Sequence, residues 1–301
     1  MKRNTARFGL RALIEPLSPE RFYREHWPRR PLVSHGPLAR FGGLSRIPEL
    51  QDVELLCEAT RGPVTVFGEK GRQTNLEDGA AAFPFYDDGE TLYFRRLQRS
   101  IPALAELAAS LARDFGVWPE DVAVEAFASR DGSGTAMHFD SEQNFNIQLR
   151  GTKTWRLAEN RSVVDPMQSF VAGRPLPAEL KSYSVRSYPK RMPKAARTVR
   201  MREGSALYLP RGYWHDTVVQ GDSLAVCFAV KPQVWAGVLL DVLRRRLIQD
   251  PGWRQGVFGL AGDARRRAAL ERCLARLLPP FAEAADLSEG KLEALPSRKT
   301  P

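Results

Sequence analysis

Thr135-Ala-Met-His138-Phe-Asp140-Ser-Glu-Gln-Asn144-Phe-Asn-Ile-Gln-Leu-Arg150-Gly-Thr-Lys153 is the stretch that decides the fold. His138 and Asp140 stand two apart in a run that reads as extended, so both side chains leave one face of a strand and can grip a single ion. The chain has four histidines, His26, His35, His138 and His215. His215 ends Leu207-Tyr-Leu-Pro-Arg-Gly-Tyr-Trp-His215, which reads as strand, sharp turn and second strand. His138, Asp140 and His215 are therefore a candidate 2-His-1-carboxylate triad, the set that leaves iron(II) with open coordination positions. An isolated His-x-Asp also marks ordinary surface turns, so the neighbours have to weigh in.

From Asn144 to Leu149 the strand sets Asn144, Asn146 and Gln148 on one face and Phe145, Ile147 and Leu149 on the other. If the strand is internal, the carboxamide face lines a polar cavity, because buried amides without partners are costly. A solvated outer face accounts for the alternation equally well. Arg150-Gly151 reads as a hairpin turn before a strand from Thr152 to Leu157.

Together with Gln143-Asn144-Phe145 and Gly151-x-Lys153, the spacing of Thr135, Asn144 and Lys153 around His138 resembles the Jumonji-C, cupin-like 2-oxoglutarate oxygenases. Within that family the resemblance is strongest to the asparaginyl hydroxylase acting on hypoxia-inducible factor. It continues in Gly204-Ser-Ala-Leu-Tyr-Leu-Pro210 and Tyr213-Trp-His215 and covers roughly residues 85 to 230. The resemblance implies Fe(II) held by His138, Asp140 and His215, with 2-oxoglutarate as cosubstrate. It implies Thr135 and Lys153 on the distal carboxylate of that cosubstrate and Asn144 close by. Tyr93 matches a family tyrosine at the same carboxylate more loosely, and a core tyrosine fits it as well. Two positions depart from the pattern: Ser205 stands where an acidic residue is usual, and Val230 where the asparaginyl hydroxylase carries an asparagine.

The composition is that of an ordinary globular chain of 301 residues, enough to bury a full core. The longest apolar runs, Ser223 to Val230 and Trp235 to Leu240, fall far short of the roughly 20 residues that span a bilayer, so no membrane span is expected. The basic N-terminus lacks the apolar core of a secretory signal. Cys57, Cys227 and Cys273 are widely separated, odd in number and suited to reduced thiols in the cytoplasm. A net charge of +10 favours anionic partners, a ribonucleoprotein or an acidic peptide among them. The bland alternative is a generally basic surface; Arg244–Arg246 and Arg265–Arg267 are the densest runs, each spread around a helical pattern.

In chain order, Ser18-Pro19-Glu20 opens a short helix through Trp27, and Pro31 to Ser34 reads as a strand. A helix is expected over 46–60 with Leu50, Val53, Leu55, Leu56 and Cys57 inward, then a strand from Val64 to Phe67. Residues 71–90 read as a long loop near the substrate, and 91–97 as a strand. Ile101 to Phe115 is an amphipathic helix, and Asp121 to Ser129 begins the β core. Residues 159–180 read as loop, Tyr183 to Tyr188 and Thr198 to Arg202 as strands, and Ser223 to Val230 as a closing strand. The expected fold is mainly β with α: a double-stranded β-helix, the jelly-roll or cupin core, with N-terminal and C-terminal helices. The expected domains are a Jumonji-C catalytic domain at 1–233, a C-terminal helical segment at 234–295 and a tail at 296–301. The helical segment pairs two copies or caps its own barrel.

The resemblance implies oxidative decarboxylation of 2-oxoglutarate to succinate coupled to hydroxylation of a C–H bond. A protein or peptide side chain is the expected target. An N-methyl-lysine demethylase and a small-molecule hydroxylase use the same chemistry and remain open, as does a non-enzymatic cupin-like binding protein.

Overall fold

Two long strands organise the molecule, and everything else is laid along them. The computed structural model describes residues 8–68, 72–231, 233–258 and 268–276. Before the long strands come α1 (Leu10–Ile14), α2 (Pro19–Glu25), β1 (Leu32–Ser34), α3 (Val53–Ala59), β2 (Val64–Phe67), β3 (Gln73–Leu76) and α4 (Phe83–Asp87). They are followed by β4 (Thr91–Phe94), α5 (Pro102–Phe115), β5 (Val122–Ser129) and β6 (Gly134–Phe139). The first long strand is β7 (Gln143–Ala158); β8 (Phe170–Val171), α6 (Ala178–Tyr183), β9 (Arg197–Met201) and β10 (Ala206–Leu209) separate it from the second, β11 (Trp214–Val230). A last helix, α7 (Trp235–Leu247), follows, and 268–276 are helical.

β7 and β11 pair antiparallel from Trp214↔Ala158 to Val230↔Gln143, with register shifts near Leu224. Each strand thereby serves two half-sheets. In one, residues 143–150 and 224–230 are flanked by β10 and β1 on one side and by β5, β4, β2 and β3 on the other. In the other, residues 152–158 and 214–220 are flanked by β9 and by β6 and β8. Rolled together they make the expected double-stranded β-helix.

The expected hairpin at Arg150-Gly151 is not there. β7 runs on through Gly151, whose φ of 74° and position bend the strand without reversing it. A Cβ on Gly151 would lie 2.0 Å from the Asp222 carbonyl oxygen, so only glycine lets the two backbones meet. Ser223 to Val230 is likewise the end of β11 and not a separate strand.

Outside the first half-sheet lies the main apolar core. Phe145, Ile147 and Leu149 of β7 and Val226, Phe228 and Val230 of β11 pack there with Phe22 of α2, Leu56 of α3 and Leu104 and Leu111 of α5. α5 ends on Gly116 at φ 64°, in the left-handed cap conformation. A second apolar group, Trp155, Leu157, Val199, Met201, Leu207 and Leu209, joins the inner faces of the two half-sheets.

Several local expectations give way to tertiary context. The helix expected over 46–60 starts only at Val53, where Asp52 caps it, and Leu55 is 45% exposed instead of inward. The expected loop over 71–90 contains β3 and α4, and that over 159–180 contains β8. Tyr183 closes α6, and no strand follows to Tyr188.

The chain divides into a unit of Met1–Pro232 and a unit of Gln233–Pro301. In the second, no residue of α7 is buried. Arg265–Arg267 and the tail at 296–301 lie outside the described residues. Among those described, no helix is long and apolar enough to cross a membrane.

Candidate metal centre

β6 and β11 are neighbours, and their register sets His138 opposite His215. Asp140 follows β6 by one residue, so its carboxylate joins the two imidazoles from the same side as His138. The three ligand atoms lie within 4.8 Å of one another. Asp140 Oδ1 is 3.8 Å from His138 Nε2, and Asp140 Oδ2 is 3.5 Å from His215 Nε2.

Both imidazoles are oriented by their other nitrogen. His138 Nδ1 is 2.7 Å from the Ala136 carbonyl and His215 Nδ1 is 3.0 Å from that of Tyr213. A carbonyl only accepts, so each Nδ1 carries the proton and each Nε2 turns a lone pair toward the centre. His215 is 3% exposed; burial, and then the neighbouring His138, hold its pKa well below the ordinary value and keep it neutral. Trp155 stacks against its ring at 5.6 Å. Asn144 Nδ2 donates to Asp140 Oδ2 at 2.7 Å and fixes the carboxylate. The donor set, two neutral imidazoles and one oriented carboxylate on three corners, fits a divalent iron ion with free positions. The other histidines are elsewhere: His26 Nδ1 meets the Pro31 carbonyl, and His35 meets Ser205 Oγ.

The remaining residues expected at the site divide. Lys153 is 4% exposed and sits opposite Val219, on the face of β7 that carries Trp155. Its ammonium lies 5.3 Å from the centre of the Phe127 ring, and burial pulls its pKa down to about 8 with no acidic side chain to offset it. Thr135 faces Thr217 of β11, hydroxyl to hydroxyl at 2.9 Å, while Thr217 is also opposite Trp155. Tyr93 lies one ring beyond: it stacks on Phe127 at 4.5 Å and sets its hydroxyl beside the Glu125 carboxyl.

Glu125 and Thr217 are the residues that sequence reading passed over. Cys227 is opposite both Glu125 and Asn146, so these three share the face of Asn144, which looks onto Asp140. Burial pushes the Glu125 carboxyl up to about 7; Tyr93 opposes this and Asp140 adds to it. Among the described residues no cation forms an ion pair with it, although the Arg95 guanidinium also works against that rise. Asn144 Oδ1, Asn146 Nδ2, Gln148 Oε1 and Trp155 Nε1 are buried without a protein partner. The interior is thus polar, with an anion-seeking end at Lys153 and a cation-seeking end at Glu125. The signal for Thr217 was its place two residues after His215; Glu125 was the single acid in an otherwise apolar strand.

A jelly-roll barrel with an open facial triad and a buried lysine defines the non-haem iron class of oxygenases. The JmjC domain family matches residues 115–237. The YxbC protein of Bacillus subtilis (strain 168) is 30% identical over 257 residues, covering 82% of this chain and 78% of that one. The chain belongs to the JmjC family, and its cofactors are Fe(II) and, as cosubstrate, 2-oxoglutarate. Ribosomal oxygenase 1 of Gallus gallus is 26% identical over 289 residues, 87% of this chain and 46% of the relative. The bifunctional lysine-specific demethylase and histidyl-hydroxylase NO66 of Drosophila grimshawi is 26% identical over 255 residues, 80% of this chain and 33% of the relative. The chain therefore spans less than half the length of these two animal proteins. In fold it is similar to the ribosomal oxygenase YcfD of Escherichia coli, solved with cobalt and 2-oxoglutarate. The TM-score is 0.51 at 16% identity, over 88% of this chain and 67% of that one.

Proposed function

We propose that this chain is a 2-oxoglutarate-dependent hydroxylase of protein side chains. The observation that carries the reading is the triad together with Lys153, a buried ammonium whose charge no acidic side chain offsets, on the face of β7 whose Trp155 stacks on His215. Bound Fe(II) and 2-oxoglutarate supply the oxidation of a C–H bond, with succinate and carbon dioxide as coproducts. His138, Asp140 and His215 hold the metal, and the Nδ1 contacts keep both rings aimed. Lys153 binds the distal carboxylate by a charge-assisted hydrogen bond, with the Thr135–Thr217 hydroxyl pair beside it. Asn144 orients Asp140. The interior faces of Trp155 and Leu157 keep bulk water away from the reacting atoms.

Glu125 and Tyr93 bear on the target. A desolvated carboxylate with a hydroxyl beside it favours a cationic side chain over a neutral one. The names of the relatives, which speak of ribosomal oxygenation, lysine demethylation and histidyl hydroxylation, agree with a basic residue in a protein. The finer likeness to the asparaginyl hydroxylase rests on motif spacing alone, and Glu125 speaks against a neutral target. A demethylase reading keeps one support, the bifunctional name of the Drosophila relative. A cytoplasmic location fits the free thiols of Cys57, Cys227 and Cys273. A homodimer through the C-terminal helices fits α7, which leaves Trp235 79% and Leu240 64% exposed.

Succinate formation with Fe(II) and 2-oxoglutarate tests the oxygenase, and His138→Ala should abolish it. Mass spectrometry of a ribosomal protein fraction then separates the two chemistries: a gain of one oxygen marks hydroxylation, a loss of methyl mass demethylation. Absence of both metal uptake and turnover in the wild type would return the chain to the binding-protein reading.

A further inference from the structure

The same strands that turn Lys153 inward present a different chemistry on their other side. In β9, Val199 and Met201 are buried, so Arg200 and, just past the strand, Arg202 point outward and are exposed. Thr152 and Thr154 of β7 lie on that outer side, next to β9. Arg200, Arg202, Thr152 and His35 together line a depression of about 500 Å³.

The depression is built and held. Gly204, at φ 78°, packs against the Gly36 carbonyl so closely that a Cβ would lie 2.1 Å from it, which ties the 203–205 turn to the 35–37 segment. Ser205 Oγ accepts the Arg202 backbone N–H at 3.0 Å and meets His35 Nδ1 at 2.8 Å. Arg40 braces the rear, donating to the Gly204 carbonyl at 2.9 Å. Among the described residues, neither Arg200 nor Arg202 forms an ion pair, and the adjacent Glu203 pairs with neither. The positive field is felt by His35, whose pKa is lowered by burial and then by Arg202 and Arg40.

We propose that this outer face binds the phosphate groups of a nucleic-acid strand, with Arg200 and Arg202 as anchors and Thr152 and His35 completing one phosphate site. Arg200 and Arg202 each offer a guanidinium fork to a phosphate, with the Thr152 hydroxyl and the His35 imidazole beside them from two other segments. Residues two apart on a strand are about 7 Å apart, close to the separation of successive phosphates along a nucleic-acid strand. Among the described residues lining the depression there is no phenylalanine, tyrosine or tryptophan, and its one ring, His35, is held by Ser205 Oγ, so binding follows the backbone without reading sequence. The net charge of +10 draws such a polyanion in from a distance.

The test is fluorescence anisotropy of a labelled oligouridylate with the full chain, and it needs no turnover. Two phosphate contacts on a single strand give a salt slope of about −1.4, so affinity should fall about sevenfold between roughly 50 and 200 mM salt. The double variant Arg200→Glu with Arg202→Glu should bind at least about tenfold more weakly and lose that slope. Arg200→Lys with Arg202→Lys should retain most of the binding. Affinity for the glutamate pair within twofold of wild type would overturn the proposal. So would polyglutamate competing as well as the oligonucleotide, which would reassign the face to acidic peptides. Competition by inorganic phosphate at equal phosphate concentration would make it a site for small anions only.

Discussion

Lys153 shows how the site opposes the stability of the chain that carries it. Its ammonium is buried beside an aromatic ring with no carboxylate for company, and its pKa falls from 10.5 to about 8. Below pH 8 both folded and unfolded chains carry the proton, and the folded one bears the whole burial penalty, about 3 kcal/mol by that displacement. Between pH 8 and 10.5 the folded chain has released the proton and the unfolded one has not, so stability rises with pH through that window. Lys153→Met should accordingly raise the Tm of the metal-free protein at pH 7. The same variant should raise KM for 2-oxoglutarate by roughly 10–150-fold, the worth of a hydrogen bond to a charged group. In the wild type that KM should climb above pH 8, about tenfold per pH unit, as the ammonium discharges; a flat profile would place the anchor elsewhere. Asn144→Ala, which frees Asp140, should weaken metal binding about 10–100-fold while leaving the fold intact, read by Co(II) titration. The triad was legible because a two-residue spacing on a strand is a local fact. Glu125 was not, because a lone acid in a strand reads as a solvent face unless one knows that it shares its face with Cys227 and Asn146 inside the barrel.

At the scale of elements, β7 is the informative case. A glycine with positive φ and alternation on both sides suits a hairpin turn and a bulged bend equally. Only the partner strand decides, and β11 lies opposite Gly151 without a break in direction. Gly151→Ala would press a methyl into the Asp222 backbone. The expected loss is about 3 kcal/mol or more, a fall in Tm of roughly 6–12 °C in thermal unfolding, and with it a displaced Lys153. The missed boundary of α3 has a similar origin. Its apolar spacing continues upstream of Val53, but Pro48 and the Asp52 cap hold the preceding residues in 3-10 turns. β3 and α4 were hidden in residues 71–90 because Gly, Asp and Pro there mask short elements that neighbouring strands stabilise.

For the whole molecule, metal and stability are coupled by mass action. All three ligands belong to the unit of Met1–Pro232, and an ion that binds only the folded state stabilises it by about 2.7 kcal/mol at a hundredfold excess over Kd. Co(II) should therefore raise the Tm by roughly 5–11 °C, and His215→Ala should remove the shift. Dimerisation through α7 predicts that Trp235→Glu with Leu240→Glu lowers the sedimentation coefficient; an unchanged value would leave the helix to its own chain. The net charge was legible in composition, but its placement was not. The densest arginine run among the described residues, Arg244–Arg246, winds around α7, while Arg200 and Arg202 meet His35 only through the fold.

The antiparallel ladder of β7 and β11 has a consequence for how such proteins diversify. The helix-covered half and the iron-bearing half are the two ends of the same pair of chains of peptide units, so no cut separates them without severing both in mid-course. Recombination between relatives cannot transplant one half alone. New specificity enters most readily at the ends of the strands, in connections such as 159–196, which can change without cutting the shared spine.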